Sequence, residues 1–156
     1  MRKVIQILKA STDDVQILQR LNNEVIVDNG KYDDDLIPDW ALSERGRAYF
    51  TKELHNKDSI CFIAQEDNNP VGYIMATPKH FSYRKSSCIE IANMGVVPLF
   101  RSKGVGKQLI DKVINDARSR GYKKIYVNSY FQNAKAITFY KRSGFYEIDL
   151  SLERSL

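Results

Sequence analysis

Cysteine and histidine are scarce in this sequence, which limits the metal and thiol chemistry that it can carry. The 156 residues include two cysteines and two histidines. Cys61 and Cys88 lie inside strand-like runs, where two thiols in a reducing compartment are most simply small core residues. A nucleophilic pair of one cysteine with His80 stays open, although no local signature supports it. No group of potential ligands has metal spacing, so we expect neither a structural nor a catalytic metal.

Long apolar runs are also missing. No run approaches the roughly 18 residues that a membrane-spanning helix needs. Acidic residues soon interrupt the N-terminal sequence MRKVIQILKASTDD, which makes it a poor signal peptide. We therefore expect a cytoplasmic protein without a membrane partner. The sequence has no repeats, linkers or low-complexity segments, and its length suits a single domain over residues 1–156.

The charges that are present are segregated along the chain. The net charge is +5, yet residues 101–124 carry eight Lys/Arg against two Asp, and residues 11–40 carry two Lys/Arg against eight Asp/Glu. A protein that binds the nucleic-acid backbone seldom keeps so acidic a third, so we expect no nucleic-acid partner. The basic block is better matched to one localised polyanion. The acidic block either attracts a cation or is a solvated helix face and loop.

Apolar periodicity predicts ten elements in the order β-α-α-β-β-β-α-β-α-β. The fold class is α/β (α+β), with a mixed, mostly antiparallel central sheet flanked by helices, because an antiparallel meander runs into a βαβ unit. The predicted strands cover residues 4–10, 59–67, 71–78, 88–98, 123–130 and 145–153. The predicted helices run from Ser11 to about Val25, from Ser43 to about His55, from Gly104 to near Gly121 and from Asn133 to about Ser143.

A turn with two glycines and two cations joins a strand to a helix at residues 101–106. Backbone N–H groups at a helix N-terminus have no intrahelical partner, and the helix dipole adds partial positive charge. Gly104 and Gly106 let the backbone approach a bulky anion, and Arg101, Lys103 and Lys107 add full charges. The turn therefore predicts an anion site.

The two commonest phosphate motifs do not fit this turn. The sequence lacks the P-loop pattern G-x-x-x-x-G-K-S/T. It also lacks G-x-G-x-x-G, and Lys123 and Lys124 stand where a dinucleotide fingerprint needs an acid. A plain capped turn on a basic surface remains the alternative.

Two motifs resemble those of the GNAT N-acetyltransferase superfamily. The first is Arg or Gln, two residues, Gly, one residue, then Gly or Ala, which Arg101, Gly104 and Gly106 match. The second lies in QNAKAITFYKRSGF, where six residues fall at the family's offsets: Asn133, Ala136, Phe139, Tyr140, Gly144 and Phe145. The resemblance covers residues 87–146 well, and the N-terminal half agrees only in its order of elements.

The resemblance implies acetyl-CoA as the co-substrate and the acyl-CoA N-acyltransferase fold. Its diphosphate would lie on the amides of residues 102–107, and its pantetheine arm would pair with residues 94–97. Gly95 marks a bulge or a close backbone approach that would open a slot beside this strand. The implied cofactor-binding residues are Met94, Val96, Val97, Arg101, Ser102, Lys103, Gly104, Val105, Gly106, Lys107, Asn133, Ala136 and Tyr140.

The resemblance also assigns catalytic roles. Tyr140 lies two helical turns after Asn133 and is the candidate acid for the leaving thiolate; its alternative role is a core tyrosine. Glu90 precedes Arg101 by eleven residues, as the catalytic glutamate does in the histone-acetylating branch, and is the candidate base acting through water. His80 and Asn93 are weaker alternatives. The backbone N–H of Val96 or Val97 is the expected oxyanion donor.

The acceptor is expected to be a primary amine: a small molecule, a polyamine, or a protein lysine or N-terminus. Residues 28–40 form an acidic loop. Its residues Tyr32, Asp35 and Trp40 suit a cationic amine, although such residues are also common on surface loops. Only eleven residues follow Phe145 in this sequence, too few for a long final hairpin, so we expect one pocket wall or dimer contact to be missing or built differently than in many family members. A homodimer is one assembly that the sequence allows. A non-catalytic acyl-CoA-binding module of the same fold and a nucleic-acid-binding protein are the alternative functions.

Overall fold

The computed structural model describes residues 3–156 and contains five strands and four α-helices in this range. The strands are β1 (Ile5–Lys9), β2 (Ile60–Glu66), β3 (Asn69–Lys79), β4 (Cys88–Val96) and β5 (Lys124–Val127). The helices are α1 (Val15–Asn29), α2 (Glu44–His55), α3 (Val105–Ser119) and α4 (Ala134–Arg142). The first nine predicted elements are confirmed in order.

Local signals set several of these boundaries. Ser11 and Asp14 form a reciprocal capping box before α1, in which the Ser11 N–H donates to the Asp14 carboxylate at 2.7 Å. Asp67 and Asn68 both have positive φ, at 48° and 62°, and turn β2 tightly into β3. Two successive residues of this conformation match the twist of an antiparallel hairpin. The predicted hairpin is therefore confirmed.

The strands form one sheet in the order β1-β2-β3-β4-β5. The first four pair antiparallel, and β4 pairs parallel with β5. The parallel pairing joins Cys88–Ile91 of β4 to Lys124–Val127 of β5 and then stops. The mixed, mostly antiparallel sheet is thus confirmed, and the second half of β4 has no strand on its β5 side within the described residues.

Each face of the sheet carries its own apolar core. On one face, Ile74, Ile89 and Ile91 pack with Leu109 and Val113 of α3. On the other, Tyr73 and Met75 pack with residues of α1 and α2 such as Leu18 and Phe50. Alternate residues of β3 and β4 thus enter opposite cores, as the period of a strand requires.

The last predicted strand is wrong. Residues 145–156 form no strand, although FYEIDLSLE alternates apolar and polar residues. The apolar members lack a cover, because Ile148, Leu150 and Leu152 are 51%, 63% and 89% exposed. Alternation becomes a strand only where a neighbouring strand supplies hydrogen bonds, and this segment has no such neighbour within the described chain.

Candidate active site

The turn between β4 and α3 presents a row of free backbone amides. Gly104 has φ 81° and Ser102 has φ 60°, so the chain reverses before α3 begins at Val105. The first bond of the helix runs from the N–H of Gln108 to the carbonyl of Gly104 at 3.1 Å. Within residues 3–156, the N–H groups of Lys103 to Lys107 donate to no acceptor. This arrangement can receive an anion.

The two glycines of this turn have different structural reasons. A Cβ at Gly104 would meet open space, so the positive φ is what favours glycine there. A Cβ at Gly106 would lie 3.0 Å from Cζ of Phe139, so this glycine lets α3 pack closely on α4. We predicted that both glycines let the backbone approach an anion. At Gly106, close packing against Phe139 is a second reason for glycine.

The cations around the turn are mostly engaged by the protein itself. Nε of Arg101 donates to the carbonyl of Val96 at 2.8 Å, and its guanidinium pairs with Asp28 of α1. Nζ of Lys107 pairs with Asp111 at 2.6 Å. Nζ of Lys103 lies 5.3 Å from the ring centre of Phe100 and has no ion pair among the described residues.

The uncovered half of β4 offers backbone groups toward its β5 side. The N–H of Val97 donates to the carbonyl of Val71 at 2.9 Å. Because hydrogen bonding alternates along an antiparallel strand, the N–H groups of Met94 and Val96 point away from β3. The expectation that Val97 is an oxyanion donor is therefore corrected, because its N–H is already engaged by Val71. The N–H of Val96 faces the open side and stays available.

Gly95 allows a close approach rather than a bulge. A Cβ on Gly95 would lie 2.3 Å from Cγ2 of Val25, so α1 packs directly against this backbone. The bulge lies earlier in the strand, because Met75 pairs with Asn93 and Ala76 pairs with Ile91. The extra residue, Ala92, is left unpaired.

Tyr140 and Asn133 lie on α4 as predicted. Oδ1 of Asn133 accepts from the N–H of Ala136 at 3.1 Å, which confirms that Asn133 caps the helix. The ring of Tyr140 packs between Phe139 and Phe145, at centroid distances of 5.4 and 5.6 Å. Burial raises the pKa of Tyr140 to about 12. Its hydroxyl has no hydrogen-bond partner in the described part of the chain.

Glu90 lies on the sheet face opposite Ile89 and Ile91. Its carboxylate pairs with Nζ of Lys79 at 3.4 Å, and its side chain is 22% exposed. The same Nζ lies 5.7 Å from the ring centre of Tyr126 on β5. Glu90 is therefore a partly covered carboxylate, paired with a lysine, beside the end of the β4–β5 pairing.

The two weaker base candidates lie in different surroundings. His80 is exposed just after β3. Nδ2 of Asn93 donates to the Tyr49 hydroxyl at 3.0 Å, and Oδ1 of Asn93 is buried without a partner among residues 3–156. Burial raises the pKa of Tyr49 to about 12. Asn93 is therefore held by Tyr49 and its amide is not a base, whereas His80 is a solvent-exposed residue that does not line the cavity described below.

The acidic loop packs against the connection between β5 and α4. The rings of Tyr32 and Tyr130 stack at 5.9 Å, and the Tyr130 hydroxyl donates to Asp33 at 2.8 Å. Asp35 is exposed, and its N–H donates to Oδ1 of Asp33 at 3.0 Å. Trp40 lies elsewhere, with its ring 5.7 Å from Tyr49. Tyr32 and Trp40 thus contact different aromatic neighbours.

A cavity of about 1290 Å³ lies beside β5. It joins part of the acidic loop to the candidate acid, because Tyr32, Asp33, Tyr130 and Tyr140 all line it. Asp35, Trp40 and Glu90 do not line it.

The remaining sequence expectations concern thiols, metals and membranes. Cys61 and Cys88 are both buried and free, and burial raises the pKa of the Cys61 thiol to about 12. A buried thiol of this kind is a poor nucleophile, which confirms the core role. Within residues 3–156 no three Cys, His, Asp or Glu side chains lie close enough to share a metal ion. None of the helices in the same range has the length and apolarity to cross a membrane.

Solved structures share this fold. A mutant of the BH1408 protein from Bacillus halodurans superposes with a TM-score of 0.83 at 17% identity, covering 97% of this chain and 99% of that one. An aminoglycoside N-acetyltransferase AAC(6')-Iy in complex with CoA gives 0.78 at 18% identity, covering 100% and 97%. The chain thus has the acyl-CoA N-acyltransferase fold.

The family follows from the sequence itself. The model of the Acetyltransferase (GNAT) family matches residues 22–145. The protein belongs to this family, because the match covers more than half of the chain.

Two curated relatives are similar over part of their length. The chain is 33% identical over 102 residues to MJ1207 of Methanocaldococcus jannaschii, which is called an uncharacterized N-acetyltransferase. The matched region covers 65% of this chain and 45% of that protein. It is 27% identical over 100 residues to YhfO of Bacillus subtilis, which is also called an uncharacterized N-acetyltransferase. This matched region covers 64% of this chain and 67% of that protein. The matched region is thus less than half of the first relative.

Sequence reasoning missed three residues that bear on the site. Asp28 pairs with Arg101, Lys79 pairs with Glu90, and Tyr130 stacks on Tyr32. Tyr130 carried a usable signal, since aromatic side chains in the loop after a parallel strand often line a site. Asp28 and Lys79 carried none, because their roles depend on tertiary packing and strand register.

Proposed function

We propose that this protein transfers the acetyl group of acetyl-CoA directly to a primary amine. The observation that carries the proposal is the row of free amides from Lys103 to Lys107, next to the uncovered half of β4. A diphosphate needs such donors, and an extended amide-bearing chain needs such a strand edge. Both features occur here within a few residues of each other.

The residues present fit this co-substrate. The amides of the turn and Lys103 would hold the diphosphate, and the outward-facing groups of Met94 would pair with the pantetheine arm. The Val96 carbonyl accepts from Arg101 at 2.8 Å, and its N–H is left for the reacting acyl group. Arg101 would be only partly available to the diphosphate, because its guanidinium also pairs with Asp28. When bound, acetyl-CoA supplies an activated acyl group at the mouth of this slot.

Glu90 is the proposed base. An alkylamine with a pKa near about 10.4 is mostly protonated at neutral pH and must lose a proton to attack. Glu90 would accept this proton through water, and its carboxylate lies 3.4 Å from Nζ of Lys79. The N–H of Val96 would stabilise the oxygen that gains negative charge as the C–N bond forms.

Tyr140 is the proposed donor to the departing sulfur. With a pKa of about 12, its phenol stays protonated at neutral pH and can donate. Thiols have an ordinary pKa near about 8.5, so complete transfer of the phenol proton to a thiolate would be unfavourable. We therefore assign Tyr140 a hydrogen bond to the sulfur as the C–S bond breaks, with solvent supplying the final proton.

The proposed acceptor carries more than one positive charge. The acidic loop offers Asp33 and Asp34 at the cavity that Tyr140 also lines, and the stacked rings of Tyr32 and Tyr130 offer a flat apolar surface. This combination suits a polyamine or an amino sugar. One structural neighbour is described in complex with sisomicin, which makes aminoglycosides useful members of an acceptor panel.

The experiment is a thiol-release assay with acetyl-CoA against polyamines, aminoglycosides and lysine peptides. We expect turnover with at least one polycationic acceptor, and loss of turnover in Tyr140→Phe with coenzyme affinity retained. CoA binding without thiol release for any acceptor would favour the alternative function, a non-catalytic acyl-CoA-binding module. DNA affinity that falls steeply with salt, without CoA binding, would favour a nucleic-acid-binding protein.

A further inference from the structure

The ammonium group of Lys79 lies among three other side chains at the end of β3. Its Nζ is 3.4 Å from the carboxylate of Glu90. The same Nζ lies 5.6 Å from the ring centre of Phe81 and 5.7 Å from that of Tyr126. A carboxylate and two aromatic rings are groups that bind an alkylammonium ion. We call Phe81, Glu90 and Tyr126 together the ammonium cage.

Three different parts of the chain build this cage. Glu90 is the partner of Tyr126 in the parallel register of β4 and β5, so both side chains leave the sheet on the same face. Phe81 follows β3 and packs against Tyr126, with ring centres 5.6 Å apart and ring planes at 72°. The guanidinium of Arg84 also lies 5.1 Å from the ring centre of Phe81, so a second cation already uses this ring.

Lys79 differs from the other ion-paired lysines of the described chain. Lys3, Lys107 and Lys141 also pair with carboxylates, but within residues 3–156 their ammonium groups lie over no aromatic ring. An exposed ion pair by itself contributes little. The two rings add attraction for the same cation, so the cage binds an ammonium group more firmly than a surface carboxylate alone.

The proposed reaction needs the position that Lys79 occupies. Glu90 is the proposed base, so the ammonium group of the acceptor has to come within one water molecule of its carboxylate. This carboxylate is already paired with an ammonium group, which belongs to the protein itself. An approaching acceptor and Lys79 therefore compete for the same oxygen atoms and the same rings.

We propose that the ammonium cage binds an ammonium group of the acceptor, and that Lys79 is an internal competitor which the acceptor displaces. The role of the cage in acetyl transfer rests on the proposed function. Lys79 is suited to leave, because its side chain is 38% exposed and carries the charge on a flexible four-carbon stem. Its displaced ammonium group can therefore reach solvent.

The position of the cage favours an acceptor with a second positive charge. Tyr126 lines the cavity beside β5, and Asp33 and Asp34 line the same cavity. A diamine or polyamine would place one ammonium group in the cage and another at these carboxylates. Displacing Lys79 weakens the binding of any amine, and the second contact offsets this loss. A monoamine has no such second contact.

The test is titration calorimetry without acetyl-CoA, with putrescine, spermidine and n-butylamine as probes. Lys79→Ala empties the cage, and we expect it to bind spermidine about 5- to 10-fold more tightly than the wild type does, the size of one ion pair and two ring contacts. Lys79→Gln removes the charge and keeps the length, and should show a gain in the same direction. Lys79→Arg keeps a cation in place and should bind as weakly as the wild type. n-Butylamine should bind most weakly to every variant.

Lys3→Ala is the matched control. Lys3 also pairs with a strand carboxylate, at 3.7 Å from Glu66, and its loss changes the net charge by the same amount. It should change the affinity for the probes little, so the difference between the two variants separates the cage from a general effect of charge. Lys79→Ala/Phe81→Ala removes one wall of the cage and should lose most of the gain.

Four results would overturn the proposal. They are equal spermidine affinity of the wild type and both uncharged Lys79 variants, an equal gain in Lys3→Ala, a full gain in Lys79→Ala/Phe81→Ala, and no probe binding to folded Lys79→Ala. Circular dichroism checks the folding of each variant. Because acetyl-CoA is left out, the outcome is independent of the thiol-release assay. Absent turnover with a confirmed gain would contradict the proposed function alone, and turnover without the gain would contradict the cage alone.

Discussion

Arg101 and Asp28 tie the turn before α3 to the last turn of α1. The guanidinium of Arg101 pairs with the Asp28 carboxylate, while its Nε holds the carbonyl of Val96. The acidic loop follows directly after α1. The proposed diphosphate site and the proposed acceptor loop are therefore joined by one ion pair, which is nearly half exposed on both sides.

Neutralising Asp28 should strengthen coenzyme binding. In Asp28→Asn the guanidinium loses its competing carboxylate, so we expect CoA to bind about 2- to 5-fold more tightly, the size of one exposed ion-pair contribution. Titration calorimetry at low salt measures the effect. Asp58→Asn, at an exposed turn before β2, is the control and should change nothing. Weaker CoA binding in Asp28→Asn would mean that the ion pair orders the turn for the coenzyme.

The free energy of unfolding should depend on the side-chain volume at the contact between Gly95 and Val25. In Gly95→Ala the new Cβ would meet Cγ2 of Val25 at 2.3 Å, so the free energy of unfolding should fall by about 1–3 kcal/mol. Urea denaturation measures it. The double variant Gly95→Ala/Val25→Ala should lose less than the sum of the single changes, because the second change makes room for the first. Strict additivity would contradict this contact.

Glu90→Gln should lower turnover without changing CoA affinity. The amide cannot accept the amine's proton, so kcat/KM should fall on the order of 100-fold near neutral pH and recover partly at alkaline pH, where more acceptor is already unprotonated. Glu66→Gln is a matched control, because Glu66 is also a strand carboxylate paired with a lysine, at 3.7 Å from Lys3. An unchanged pH–rate profile in Glu90→Gln would show that Glu90 is not the base.

Alkaline pH should destabilise the fold. Burial raises the pKa of Cys61 from 9.0 and of Tyr49 from 10.0, each to about 12. The unfolded chain therefore releases these protons at lower pH than the folded chain, and the free energy of unfolding falls as pH rises above about 9. Urea midpoints between pH 7 and about 10.5 should show this decline. Cys61→Ala should flatten its first part, and an equal slope in both proteins would contradict the assignment to Cys61.

Local patterns predicted most of the fold. The capping residues Ser11 and Asn133 and the hairpin of β2 and β3 depend on near neighbours in sequence, and the structure confirms them. The partner of Arg101 lies 73 residues away, and the engagement of the Val97 N–H depends on strand register. No local pattern contains this information. The predicted strand after Phe145 is wrong for a third reason, because its alternating residues have no neighbouring strand among residues 3–156.

The amides from Lys103 to Lys107 belong to the backbone, and this limits how the site can be lost. Replacing a side chain leaves the N–H groups in place, and only proline removes one. Lys103 is exposed and can vary with little cost to the donors, whereas Ser102 and Gly104 are constrained by their positive φ of 60° and 81°. Sequence change in this turn is thus restricted by chain geometry more than by side-chain chemistry, and substitutions that keep the bend should keep the proposed diphosphate site.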